Sequence, residues 1–158
     1  MWSSKRGDDP RRVGTAFARY LRSGVRSTSE ALAYLRRRGV SSSRAALLLA
    51  DARRRGALDD RACARLWAEQ WARRGWADAA IRAKLSAKGL PARAIEGAMT
   101  RMARAGEREA ARAQQVAAAS RARQPGPLAR ALALRGFEPD VIDRLLEESF
   151  GPRPSHDE

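Results

Sequence analysis

Apolar side chains recur along this chain every three to four residues, and at intervals the pattern is broken by a basic residue, a glycine and an apolar residue. Three stretches superimpose without gaps: 31–40, 81–90 and 128–137. Each opens on an apolar residue (Ala31, Ile81, Leu128) and places Leu four later (Leu35, Leu85, Leu132). They end on Arg38-Gly39-Val40, Lys88-Gly89-Leu90 and Arg135-Gly136-Phe137. Each then continues to Ala45, Ile95 or Ile142, and four further on to Leu49, Met99 or Leu146. The offsets are 50 and 47 residues, and self-similarity of this length marks three copies of one unit.

Within a unit the period is helical. Pairs at i, i+4 such as Ile81/Leu85, Ile95/Met99 and Ile142/Leu146 line one face, and the basic-Gly-apolar step ends one helix and turns into the next. Start signals agree: Ser27 to Glu30 open the first copy, Asp78 the second and Pro127 the third, while Pro91 and Pro139 suit the first turn after Gly89 and Gly136. A further helix precedes each pair, over 11–22, 60–74 and 107–122. The expected fold is therefore all-α: nine short helices in three tandem three-helix repeats. Helices of about ten residues bury too little alone, so the units must stack, giving an elongated molecule with room for curvature. The division expected is a polar tail over 1–10, repeats over 11–56, 57–106 and 107–150, and a polar tail over 151–158. Joints are expected near Ala105-Gly106 and at Gln124-Pro125-Gly126.

Composition supports helices and removes several functions. The 158 residues include 33 Ala and 29 Arg, good helix formers, against 3 Lys. One cysteine, Cys63, allows no intramolecular disulfide, and one histidine, His156 in the polar tail, allows no Cys/His zinc cluster or imidazole base. No metal, cofactor or catalysis is expected. The stretch from Met1 to Pro10 has no apolar signal core, and the longest uncharged run, 113–120, is far short of the ~20 residues that span a bilayer. A cytoplasmic protein without membrane contact is expected.

The net charge of +14 points to a polyanionic or acidic partner, and its distribution sharpens the point. Residues 11–56 hold 12 Arg against Glu30 and Asp51, a net of +10. Residues 57–106 hold 10 basic against 5 acidic groups, a net of +5, and residues 107–158 hold 8 against 9, a net of −1. Arginine used only as helix-surface filler would load all three units alike. Triplets Arg36-Arg37-Arg38 and Arg53-Arg54-Arg55 stand at helix C-termini before Gly39 and Gly56. Cations there complement the helix dipole, yet one or two would suffice.

Other chemistry-bearing residues read as structural. Asp59-Asp60 lacks a second carboxylate cluster across a cleft and suits an N-cap with a first-turn acid. Trp67 and Trp71 are i, i+4 and Trp76 follows a turn; stacking on bases is one use, but a core or an inter-repeat seam is the simpler one. Cys63 fits a small buried residue.

These residues resemble the RecX regulatory proteins over nearly the whole chain, from Phe17 to Phe150. The most specific stretch is Gly56-Ala57-Leu58-Asp59-Asp60, Ala64, Trp67, Gly75-Trp76, Ile81-Arg82, Leu85 and Lys88-Gly89-Leu90. It is similar to the family's Gly-x-Leu-Asp-Asp and Ile-Arg-x-x-Leu-x-x-Lys-Gly-Ile; Ser27, Leu35 and Arg135-Gly136-Phe137 match the outer repeats. Ala62-Cys63 departs from the family's usual Arg-Phe. The resemblance implies three tandem three-helix repeats and a regulator that enters the groove of a RecA filament on DNA. It implies inhibition of ATP hydrolysis and strand exchange in recombination and DNA repair, within the SOS response.

A basic stripe over the first two units is therefore expected to face DNA phosphates or an acidic filament surface. Its residues are Arg36, Arg37, Arg38, Arg53, Arg54, Arg55, Arg73, Arg74, Arg82, Lys84 and Lys88. The third unit, with Glu138, Asp140, Asp143, Glu147 and Glu148, would touch protein. The expected partners are the RecA filament and single- and double-stranded DNA without sequence preference, met by a monomer. The rival reading is a stand-alone DNA-binding protein, because the apolar-Leu-Gly spacing resembles a helix-turn-helix. Against it, the residue before the glycine, usually apolar in that motif, is Arg38, Lys88 and Arg135.

Overall fold

A computed structural model describes residues 10–106 and 108–151. Among the described residues the chain forms nine α-helices and no strand: α1 Pro10–Arg22, α2 Thr28–Arg37, α3 Ser42–Arg54, α4 Asp60–Arg73, α5 Asp78–Ala87, α6 Ala92–Arg104, α7 Glu109–Ala119, α8 Pro125–Ala133 and α9 Pro139–Phe150. Residues 1–9 and 152–158, most of the two expected tails and His156 with them, lie outside the described residues, as does Glu107.

The helix starts follow local chemistry. Ser27 caps α2 with a full capping box: its hydroxyl accepts from Glu30 N, and the Glu30 carboxylate accepts from Ser27 N. Ser41 caps α3, and Asp59 Oδ1 accepts from Arg61 N at 2.9 Å and Ala62 N at 3.1 Å to cap α4. At α8 the helix begins at Pro125, two residues before the expected Pro127, because a first-turn proline gives up an amide that has no helical partner anyway. Pro91 stands one place outside α6, as its N-cap.

Side chains cluster into three cores. Val13, Phe17, Leu35 and Leu49 lie in the first, Ile81, Leu85, Ile95 and Met99 in the second, and Leu128, Leu132, Phe137 and Leu146 in the third. The cores cross the repeat boundaries expected from sequence: Leu58 is buried in the first and Ala77 in the third. The most extensive helix packing is α4 on α6.

The repeats are joined by two seams of the same design. At the first, Ser27 Oγ donates to Lys88 O at 2.6 Å, and Thr28 N donates to Asp60 Oδ1 at 2.8 Å. At the second, Ala77 N donates to Arg135 O at 3.0 Å, and Asp78 N donates to Glu109 Oε1 at 3.0 Å. In both, the N-terminus of a middle helix meets the C-terminal turn of the next repeat's middle helix, so the α2, α5 and α8 dipoles run head to tail. In both, an acid at the start of the next repeat's first helix takes a free amide. Asp60 is thus more than a first-turn acid of its own helix. The approach is close enough to require glycine: a Cβ at Gly89 would strike Ser29, and one at Gly136 would strike Ala80.

Candidate functional site

The expected basic residues fall into groups with different amounts of free charge. Lys84 on α5 and Lys88 at its C-cap lie one turn apart and face α4. Lys84 Nζ sits 3.8 Å from the Trp76 ring centroid and 5.8 Å from that of Trp71, and Lys88 Nζ sits 4.3 Å from that of Trp67. Cation–π contacts of this kind contribute about 0.5–1 kcal/mol where exposed. Lys88 also pairs with Glu30 across the first seam at 3.0 Å. These two lysines therefore hold the second repeat to itself and to the first. The tryptophans are half-buried against the second core. Arg82 bonds Glu96 of α6 through Nε at 3.0 Å, and that hydrogen bond raises the guanidinium pKa above its ordinary value.

The arginines at helix ends are more open. Arg36, Arg37 and Arg38 are exposed at the end of α2, with Arg38 over the Tyr34 ring at 5.0 Å. Arg53 is exposed, whereas Arg54 and Arg55 share the Asp51 carboxylate at 2.9 Å each, which offsets one of the triplet's charges. Arg73 and Arg74, at the end of α4, line a recess of about 350 Å³ with Gln115, Ser120 and Arg135 of the third repeat.

A basic cleft absent from the sequence reading lies between α4 and α6. Arg61, Arg65, Arg93 and Arg101 line a recess of about 490 Å³, with Gly97 and Ala98 leaving room between them and Asp59 at one end. All four arginines are exposed. The signal was present, since Arg61/Arg65 are one turn apart and Arg93/Arg101 two turns apart, but only the packing of α4 on α6 makes the two rows face one recess. Arg112 was also missed. It is 2 % exposed, donates from Nε to Trp76 O at 3.1 Å and pairs with Asp78, so this charge fastens the second seam. A single arginine inside an alanine-rich stretch was its only sequence mark.

Cys63 is buried, and burial, with Asp60 and Glu30 adding to it, pushes its thiol up to about 12. A neutral buried thiol is a packing group. Among the described residues no cluster of three or more His, Cys, Asp or Glu could hold a metal, and no helix is long and apolar enough to cross a membrane.

Comparison with known proteins agrees in sequence and fold. Residues 59–99 match the family described as RecX, second three-helix domain. A search of curated proteins finds no match. The crystal structure of RecX from Lactobacillus salivarius is similar at a TM-score of 0.71 and 18 % identity, covering 89 % of this chain and 96 % of that one. The crystal structure of a regulatory protein RecX is similar at a TM-score of 0.69 and 19 % identity, covering 92 % of this chain and 79 % of that one. The middle repeat is thus similar in sequence to the second three-helix domain of RecX, and about nine-tenths of the chain shares the fold of two solved RecX structures.

Proposed function

We propose that this protein is a non-catalytic regulator that binds the RecA recombinase filament on DNA and inhibits its ATP hydrolysis and strand exchange. The observation that carries the reading is the division of charge over one repeated fold. The exposed arginines Arg36 to Arg38, Arg53, Arg61, Arg65, Arg73, Arg74, Arg93 and Arg101 lie in the first two repeats with few acids beside them, whereas in the third repeat the exposed Arg108, Arg121, Arg123, Arg130 and Arg144 are balanced by acids that include the exposed Asp140, Asp143, Glu147 and Glu148 of α9. A basic surface distributed over two stacked repeats suits DNA phosphates and acidic filament surface, and the third repeat, neutral in sum with an acidic α9, suits protein. Contacts shared among repeats give avidity without a deep pocket.

The test is a titration of DNA-dependent ATP hydrolysis by RecA. Inhibition at well below one molecule per DNA-binding footprint is expected. Inhibition that appears only when the DNA is saturated would reduce the protein to a competitor for DNA and overturn the reading. Charge reversal of Arg36, Arg37 and Arg38 together is expected to weaken inhibition, and an unchanged titration would remove those residues from the surface.

A further inference from the structure

The cleft between α4 and α6 continues into a second recess of about 300 Å³, and Arg101 lines both. Residues near the starts of the two helices line the first recess and residues near their ends line the second, so α4 and α6 run in the same direction along one groove. Each wall is a row at one-turn spacing: Arg61, Arg65, Glu69 and Arg73 on α4, and Arg93, Gly97, Arg101 and Ala105 on α6. At a helix's rise per residue the rows are about 18 Å long, room for roughly three to five phosphates of one strand.

The repeat architecture does not demand arginine here. The corresponding cleft of the first repeat, between α1 and α3, is lined by Phe17, Leu21 and Leu48 with Arg22, Asp51 and Arg55. One fold thus carries an apolar cleft in one copy and a basic groove in the next. Partners within the fold also set these arginines apart. Arg54, Arg55, Arg82, Lys88 and Arg112 each pair with a carboxylate, whereas among the described residues none of Arg61, Arg65, Arg93 and Arg101 does.

The lining selects the ligand. A protein partner is held by aromatic or large apolar side chains buried at the centre of its interface, and between the four arginines the groove offers only Ala62, Ala94, Gly97 and Ala98. No aromatic ring lines the groove, and Trp67, Trp71 and Trp76 lie against the Lys84 and Lys88 ammonium groups, so bases find no stacking platform in it. Guanidinium rows without anchors or rings recognise a run of phosphates.

We propose that the α4–α6 groove holds the sugar-phosphate backbone of a nucleic-acid strand and does not read its bases. The inference rests on the preceding reading in taking DNA as the ligand. Its test contains no recombinase, so failure of the groove leaves the ATP-hydrolysis titration untouched.

The test is fluorescence anisotropy of short labelled DNA, single-stranded and duplex, titrated with the full chain at several salt concentrations. Gly97 has ordinary helical backbone inside α6, and a Cβ there would meet nothing within 4 Å. Gly97→Glu therefore sets a carboxylate one turn from both Arg93 and Arg101 while removing a helix glycine, and the melting temperature should not fall. Gly14→Glu is the control: an equally open helix glycine, beside the apolar cleft of the first repeat, with the same change in net charge. Gly97→Glu is expected to lower affinity by about tenfold or more and the salt slope by about 1–2, against about twofold or less for Gly14→Glu. Wild-type affinity should be alike for oligothymidine and mixed sequence. A loss confined to the single strand or to the duplex would identify which of the two the groove holds. Any of three results would overturn the proposal: Gly97→Glu binding as tightly as Gly14→Glu, a wild-type chain that binds neither form of DNA, or affinity that follows base sequence.

Discussion

Replacing Ser27 by Ala tests whether the seams hold the repeats together. Ser27 is fully buried; its Oγ donates to Lys88 O at 2.6 Å and accepts from Glu30 N at 3.1 Å. Loss of the N-cap costs about 1 kcal/mol. Leaving the Lys88 carbonyl without that donor in a closed seam costs about 1–3 kcal/mol more. Together these amount to roughly 2–4 kcal/mol, a large share of the stability of a small domain. Ser41→Ala is the internal control. Ser41 also caps a helix, but it is exposed and its cap bond from Arg44 N is long, 3.4 Å, so its loss costs only about 0.5–1 kcal/mol. The assay is urea unfolding followed by circular dichroism and by tryptophan fluorescence. Because coupling in repeat proteins runs between neighbours, Ser27→Ala is also expected to separate the two signals, with the second repeat's tryptophans outlasting the helices of the first. A Ser27→Ala protein that loses no more stability than Ser41→Ala, with coincident transitions, would refute the idea that the Ser27–Lys88 bond couples the repeats.

Gly39→Ala and Gly89→Ala impose the same backbone strain of about 1–2 kcal/mol, but only the second meets Ser29; thermal melts should therefore show the larger loss for Gly89→Ala. Arg112→Met, which keeps the apolar stem and removes the bonds to Trp76 O and Asp78, is expected to cost about 1–3 kcal/mol in urea unfolding and to raise hydrogen exchange at Asp78. Cys63 should resist a thiol-reactive probe in the native state and react on unfolding. Its thiol stays protonated in the fold up to about 12 while the unfolded chain ionises near 9, so the unfolded state binds fewer protons between those values and stability falls as pH rises through that window. In a DNA-binding titration, Arg61→Ala with Arg65→Ala should lower the slope of log affinity against log salt by roughly 1–2, and an unchanged slope would place the α4–α6 cleft away from phosphate.

Sequence alone determined most helix starts and stops to within two or three residues, because those decisions are made within four residues. Ser27 with Glu30, Asp59 ahead of α4, and the glycines at 39, 89 and 136 carry their signals locally, and the repeat offsets made each turn visible three times. The stacking of three-helix units followed from helices too short to bury their own faces. What the basic residues do was decided by pairs far apart in the chain. Lys88 read as part of a basic stripe facing DNA or the filament, yet a carboxylate 58 residues away and the Trp67 ring engage its ammonium. Asp60 read as a local first-turn acid, yet it takes the amide of Thr28, 32 residues away. Arg61 and Arg93 were unremarked until α4 packed on α6 and turned their rows toward one cleft. A charge in a helix sequence has a position but no partner. Only the direction in which tertiary packing turns its face settles whether it is spent inside a seam or left on the surface for another molecule.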